Sequence, residues 1–160
     1  MCRRLLCYGD SNTYGYDPRS YLGGRYPESV RWTALLNAEG WKVINKGENG
    51  RSIPRLNQEI ETAVQTARGI ETDILTVMLG SNDLLQGAGL SAEVCGERME
   101  RFLRAILMQT QGSPKILLVA PPPMAAGAWG VGLTYDGVHF SEDGHLAFAK
   151  GMQKALGDLF

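Results

Sequence analysis

Ser11 lies in Gly9-Asp10-Ser11-Asn12, a run of glycine and short polar residues of the kind that builds tight turns. With glycine on one side and asparagine on the other, such a turn presents a serine hydroxyl and its backbone N–H toward one point in space. A serine hydroxyl is a weak nucleophile at neutral pH and needs an adjacent base. The chain holds two histidines. His139 closes Asp136-Gly137-Val138-His139, and in a turn this spacing sets the carboxylate against one imidazole nitrogen. That contact fixes the tautomer and leaves the other nitrogen to take the serine proton. His145 has no carboxylate ahead of it at an orienting spacing and reads as a packing or capping residue, the weaker candidate for the base. Taken singly, each feature has a plainer reading. Gly-Asp-Ser-Asn is also an ordinary turn, and Asp136 with His139 is also a surface turn or half of a metal site. No second histidine or cysteine cluster completes a coordination shell, so no metal is expected.

Acyl transfer also needs donors aimed at the oxygen that becomes negative in the tetrahedral intermediate, each worth about 2.7 to 4 kcal/mol of barrier. Three candidates fit: the N–H of Ser11, the N–H of Gly50 and the side-chain amide of Asn82. Each alone is a turn residue; together they follow three different strands on one face of the expected sheet. Asp10, Asn12, Tyr14 and Trp32 are the expected substrate contacts, with Tyr16 a further aromatic near the nucleophile.

The elements that must position these groups follow from patterning. Short apolar runs at Leu5 to Tyr8, Trp41 to Asn45, Ile74 to Leu79 and Lys115 to Ala120 read as buried strands closed by Gly, Asn or Pro. Amphipathic stretches alternate with them: Ser29 to Ala38, Leu56 to Ala67, Ser91 to about Gln109, and a last helix opened by Ser141 with Glu142 and Asp143 in its first turn. That alternation is α/β, with a mostly parallel sheet covered by helices on both faces. In such sheets ligands bind beyond the carboxyl ends of the strands. There the sequence places Gly9-Asp10-Ser11-Asn12, Gly47-Glu48-Asn49-Gly50 and Gly80-Ser81-Asn82-Asp83.

Composition removes several other readings. The chain of 160 residues, 44% hydrophobic and 21% charged, is expected to form one domain over residues 1–160. A net charge of -1 and no run of Lys and Arg argue against nucleic acid as a partner. The three cysteines, Cys2, Cys7 and Cys95, have no C-x-x-C spacing and read as free thiols in a reducing compartment. No signal-peptide core and no span long enough for a bilayer are seen, so a cytoplasmic protein without membrane contact is expected. A nucleotide binder would show G-x-G-x-x-G after the first strand, or a P-loop lysine, and neither is present.

These residues resemble the SGNH (GDSL-like) hydrolase superfamily. Its first block resembles Cys7-Tyr8-Gly9-Asp10-Ser11-Asn12-Thr13, with Asn12 where the family often has Leu. Its second resembles Asn45-Lys46-Gly47-Glu48-Asn49-Gly50, its third Gly80-Ser81-Asn82-Asp83, and its fifth Asp136-Gly137-Val138-His139-Phe140-Ser141. The resemblance implies a three-layer, flavodoxin-like α/β/α fold, a Ser11-Asp136-His139 triad and an oxyanion hole of Ser11, Gly50 and Asn82. Arg31-Trp32 and Ala120-Pro121-Pro122-Pro123 look most like the bacterial arylesterase and acyltransferase branch, which implies short-chain ester substrates and no cofactor. That branch usually carries a further helix and strand before the fifth block, where this chain has only Met124 to Tyr135. A sheet of four strands is therefore expected, with at most a short fifth near Val131 to Thr134. The shortened segment favours association into a homo-oligomer and raises the alternative of a weak or inactive module that binds an acetylated or sugar-like ligand.

Overall fold

The computed structural model describes residues 3–86, 90–123 and 132–159. Four strands, β1 (Arg3–Gly9), β2 (Trp41–Gly47), β3 (Ile74–Met78) and β4 (Lys115–Leu118), form a parallel sheet in the order β2-β1-β3-β4. Among the described residues six helices accompany it: α1 (Ser11–Tyr14), α2 (Trp32–Ala38), α3 (Asn57–Gly69), α4 (Ser81–Gln86), α5 (Ala92–Gln109) and α6 (Glu142–Gly157).

The period-2 geometry of the strands feeds two cores, one on each face. Leu5 and Cys7 of β1, with Ile74 and Met78 of β3, pack against Trp32 and Leu36 of α2 and Ala149, Met152 and Leu156 of α6. Leu6, Leu75 and Val77 face the other way, onto Ile60 and Val64 of α3 and Phe102 and Ile106 of α5. Each such side chain contributes roughly 1.5–3 kcal/mol relative to exposure. Strand β3 is buried at every position, which is why it reads in the sequence as an apolar run broken only by Thr76. Ser91 caps α5 by accepting from the Val94 N–H, and Ser141 caps α6 by accepting from the Gly144 N–H.

Several boundaries differ from expectation. The helix expected from Ser29 begins only at Trp32, because the N–H groups of Val30 and Arg31 turn back to the Pro27 carbonyl and Arg31 is extended. The short helices α1 and α4 are too brief to leave a periodic signal. Of the expected fifth strand, Val131 lies outside the described residues; Gly132 to Thr134 form no strand, only an isolated antiparallel bridge from Thr134 to Phe140. Cys7 and Cys95 are free thiols, while Cys2 lies outside the described residues. Among the described residues no helix is long and apolar enough to cross a membrane.

This strand order fixes where a site forms. The chain leaves β1 toward β2 on one side and returns across it to β3 on the other, opening a crevice between the carboxyl ends of β1 and β3. Ser11 follows β1 directly, and Asn82 follows β3.

Candidate active site

Ser11 is the first residue of α1. Asp10 caps the helix, its Oδ1 accepting the Asn12 N–H at 3.0 Å, and Gly15 ends it in the left-handed region at φ 89°. The turn sits tightly on the ends of the strands. A Cβ on Gly47 would lie 2.1 Å from the Tyr14 nitrogen, so only glycine lets α1 rest on β2. Asn45 ties the same junction, its amide donating to Thr13 O at 2.7 Å and Thr33 Oγ1 at 2.9 Å while its Oδ1 accepts the Gly47 N–H.

His139 is carried on a loop that folds on itself. The Tyr135 N–H donates to His139 O at 2.9 Å, and the Thr134 to Phe140 bridge closes the loop. Within it Asp136 Oδ1 accepts the N–H groups of Val138 at 3.0 Å and His139 at 2.8 Å, and Oδ2 meets His139 Nδ1 at 2.7 Å. Burial pushes the Asp136 carboxyl up, but these N–H groups and the imidazole outweigh it and hold the carboxyl below its ordinary value. An ionised carboxylate only accepts, so the imidazole proton sits on Nδ1 and Nε2 keeps the lone pair a base requires. The Tyr16 ring meets the imidazole edge-on at 4.8 Å between centroids.

The residues expected to touch substrate divide. Asp10, Asn12 and Trp32 are buried to within 2% of complete and are bonded within the fold. The α1 turn and its cap direct Asn12 and Asp10 inward, and α2 directs Trp32 inward. Asp10 caps the helix, and Asn12 Nδ2 and Oδ1 bond to Val138 O and Phe140 N. The Trp32 indole N–H donates to Asn12 O at 3.0 Å. Burial raises the Asp10 carboxyl above its usual range against the pull of the Asn12 N–H, the nearby Ser81 hydroxyl and His139. Tyr14 is partly exposed, with the Arg25 guanidinium 4.5 Å over its ring. His145 is a core residue, 1% exposed, between the rings of Tyr26 and Phe140. Burial, with help from the Arg31 charge, pulls its imidazole down to about 4.

Gly50 has φ 76°, a conformation suited to glycine. No hydrogen bond among the described residues takes up the N–H of Ser11 or of Gly50. Asn82 donates one amide hydrogen to Arg51 O at 3.0 Å, leaving its second for another acceptor. Gly50 and Asn82 share the wall of a cleft of about 800 Å³, together with Arg51, Arg55, Arg98, Glu48 and Glu59. Ser11 and His139 do not line it, so the cleft extends away from the reacting groups on the Gly50 and Asn82 side.

Arg51 is the residue that sequence reasoning missed. Its guanidinium donates to the carbonyls of Gly9 and Lys46 at the ends of β1 and β2, pairs with Glu48, and stacks 4.2 Å over the Tyr8 ring. Its place directly after Gly50 was the only signal available, since Gly9 and Tyr8 lie some 42 residues away in the chain.

The model of the GDSL-like lipase/acylhydrolase family matches residues 7–134. The chain belongs to this family. The match takes in Ser11, Gly50 and Asn82, and Asp136 and His139 follow directly after it. Membership makes the chain a carboxylic ester hydrolase of the GDSL/SGNH type. Comparison with curated proteins finds no match. Solved structures share the fold over nearly the whole length. A protein of Agrobacterium tumefaciens str. C58 is 23% identical with a TM-score of 0.80, covering 99% of this chain and 100% of its own. Est24, a carbohydrate acetylesterase from Sinorhizobium meliloti, is 24% identical with a TM-score of 0.76, at 99% and 100% coverage. The M. smegmatis aryl esterase is 23% identical with a TM-score of 0.71, at 95% and 99%.

Proposed function

We propose that this GDSL-family hydrolase cleaves short-chain, acetyl-like carboxylic esters through an acyl-enzyme on Ser11. The observation that carries the reading is the 2.7 Å contact between Asp136 Oδ2 and His139 Nδ1, on a loop bonded to the residue beside Ser11. His139 Nε2 takes the Ser11 proton as Oγ attacks the ester carbonyl. The oxyanion is met by the N–H groups of Ser11 and Gly50 and the free amide hydrogen of Asn82. The tetrahedral intermediate collapses, the alcohol leaves with the proton from His139, and a water deprotonated by the same base then releases the acid and restores Ser11. Asp136 stays ionised throughout and stabilises the imidazolium.

Support for a short acyl group comes from the cleft beside Gly50 and Asn82. Its wall sets Arg51, Arg55, Arg98, Glu48, Glu59 and Asp83 among Tyr8, Ile53, Pro54, Leu56 and Leu90, and burying a long alkyl chain there would desolvate those charged groups. The names of an acetylesterase and an aryl esterase among the similar structures agree with this reading. The test is a series of p-nitrophenyl esters from acetate to octanoate. Acetate should give the highest kcat/KM, with a steady fall as the chain lengthens; a maximum at octanoate would overturn the short-chain assignment.

A further inference from the structure

We infer that Asn12 is the positioning residue that sets His139 against Ser11, an inference that rests on the esterase reading and goes beyond it. Asn12 is the neighbour of Ser11 in the chain, and its side-chain amide reaches the histidine loop at two points. Nδ2–H donates to Val138 O at 3.0 Å, and Oδ1 accepts from the Phe140 N–H at 2.9 Å. These partners stand on either side of His139. The amide therefore grips the backbone carrying the imidazole as a neighbouring strand would, donor against carbonyl and acceptor against N–H.

The grip is itself held rigidly. Asn12 is 2% exposed; its own N–H is taken by Asp10 Oδ1, and its carbonyl accepts the Trp32 indole N–H at 3.0 Å. Trp32 meets the Phe148 ring of α6 at 5.0 Å, and Phe148 meets Phe140 at 5.0 Å, which returns the path to the histidine loop. A closed circuit thus runs from Asn12 through Trp32, Phe148 and Phe140 back to Asn12.

The other restraints on His139 do different work. Asp136 belongs to the same loop, so it orients the ring within the loop and cannot place the loop relative to Ser11. The Tyr16 edge contact at 4.8 Å has no directional bond. The Arg19 pairing with Glu142 at the start of α6 is exposed, and such pairs contribute little. An amide of this size both donates and accepts over this span without a change of protonation. Leucine, of similar shape, does neither, and an ionised aspartate only accepts.

The test uses the full chain with p-nitrophenyl acetate and a fluorophosphonate probe. Asn12→Leu should lower kcat by on the order of 10²-fold, the effect of a misplacement of about 1 Å. KM should stay within about twofold, and the rate of Ser11 labelling should fall in step with kcat. A double-mutant cycle separates positioning from general loss of structure: on a His139→Ala background, Asn12→Leu should lower the residual rate no further. Should Asn12→Leu not fold, Asn12→Asp carries the same cycle, since it matches Asn in size and keeps the acceptor for Phe140. Its expected loss is at least about tenfold, since the donor to Val138 O is replaced by a second oxygen facing that carbonyl in a buried position. An unchanged kcat, or an equal loss on both backgrounds, would overturn the inference. Failure of the esterase reading would look different: the wild type itself would neither turn over the ester nor label at Ser11.

Discussion

Asp136→Asn replaces one oxygen by a nitrogen and reverses the polarity of the contact that sets the imidazole. In the native loop Oδ1 accepts the Val138 and His139 N–H groups and Oδ2 accepts from His139 Nδ1 at 2.7 Å. Asparagine keeps the first oxygen, so the turn survives. The amide nitrogen that takes the place of Oδ2 donates instead, and the imidazole answers by accepting at Nδ1 and carrying its proton on Nε2, where a base needs a lone pair. In a fully buried triad this swap costs about 10⁴ in kcat. The Asp136 side chain is 39% exposed, so water competes for the contact and screens the carboxylate. The expected loss is therefore smaller, about 10³-fold, or about 4 kcal/mol of barrier. Steady-state hydrolysis of p-nitrophenyl acetate at pH 7.5 measures it, with circular dichroism as the check on folding. KM should change by no more than about twofold, because the substitution leaves substrate contacts in place. A variant within tenfold of wild-type kcat would refute the tautomer argument and remove Asp136 from the mechanism.

Two further perturbations probe what supports the site. His145 is held near 4 by burial, against 6.5 for a free histidine, so between these values the unfolded chain binds a proton that the folded chain does not. Stability is then complete above about pH 6.5 and falls as pH drops toward 4, by up to about 3 kcal/mol. His145→Phe keeps the ring packing and should remove this component of the pH slope in urea denaturation at pH 7 and pH 4.5 while leaving kcat unchanged; an unaltered slope would contradict it. Gly47→Ala places a Cβ 2.1 Å from the Tyr14 nitrogen, a backbone atom that cannot yield without moving α1. It should cost about 1–3 kcal/mol in denaturant unfolding and depress kcat with it, whereas a stability equal to wild type would show that the junction is softer than the geometry implies.

The two central strands were legible because β3 is buried at every position and β1 is buried at Leu5, Leu6 and Cys7, so both read as apolar runs; the edge strands β2 and β4 are only partly buried and read through their Val, Ile and Leu residues. Helix starts were harder. The amphipathic stretch begins at Ser29, yet the Pro27 carbonyl holds the next two N–H groups in a turn and delays α2 to Trp32. Serine, histidine and aspartate could be chosen because the chain holds only two histidines, one of them three residues after an aspartate, and because Ser11 sits in a glycine-flanked turn after the first strand. What remained hidden was how they are held. Trp32 lies near the nucleophile in sequence and reads as a pocket wall, but α2 directs it inward, where it braces Asn12. The bonds of Asn12 span 126 and 128 residues, and no local pattern of polarity announces a pairing at that range. Arg51 is silent for the same reason.

The most direct test of the account is the intact mass of the protein after reaction with a fluorophosphonate, followed by peptide mapping, for wild type, Ser11→Ala and His139→Ala. One adduct is expected on wild type, located at Ser11, none on Ser11→Ala, and labelling of His139→Ala slowed by about 10³-fold or more. An adduct on Ser11→Ala equal to that of wild type, or wild-type labelling at any other residue, would contradict it.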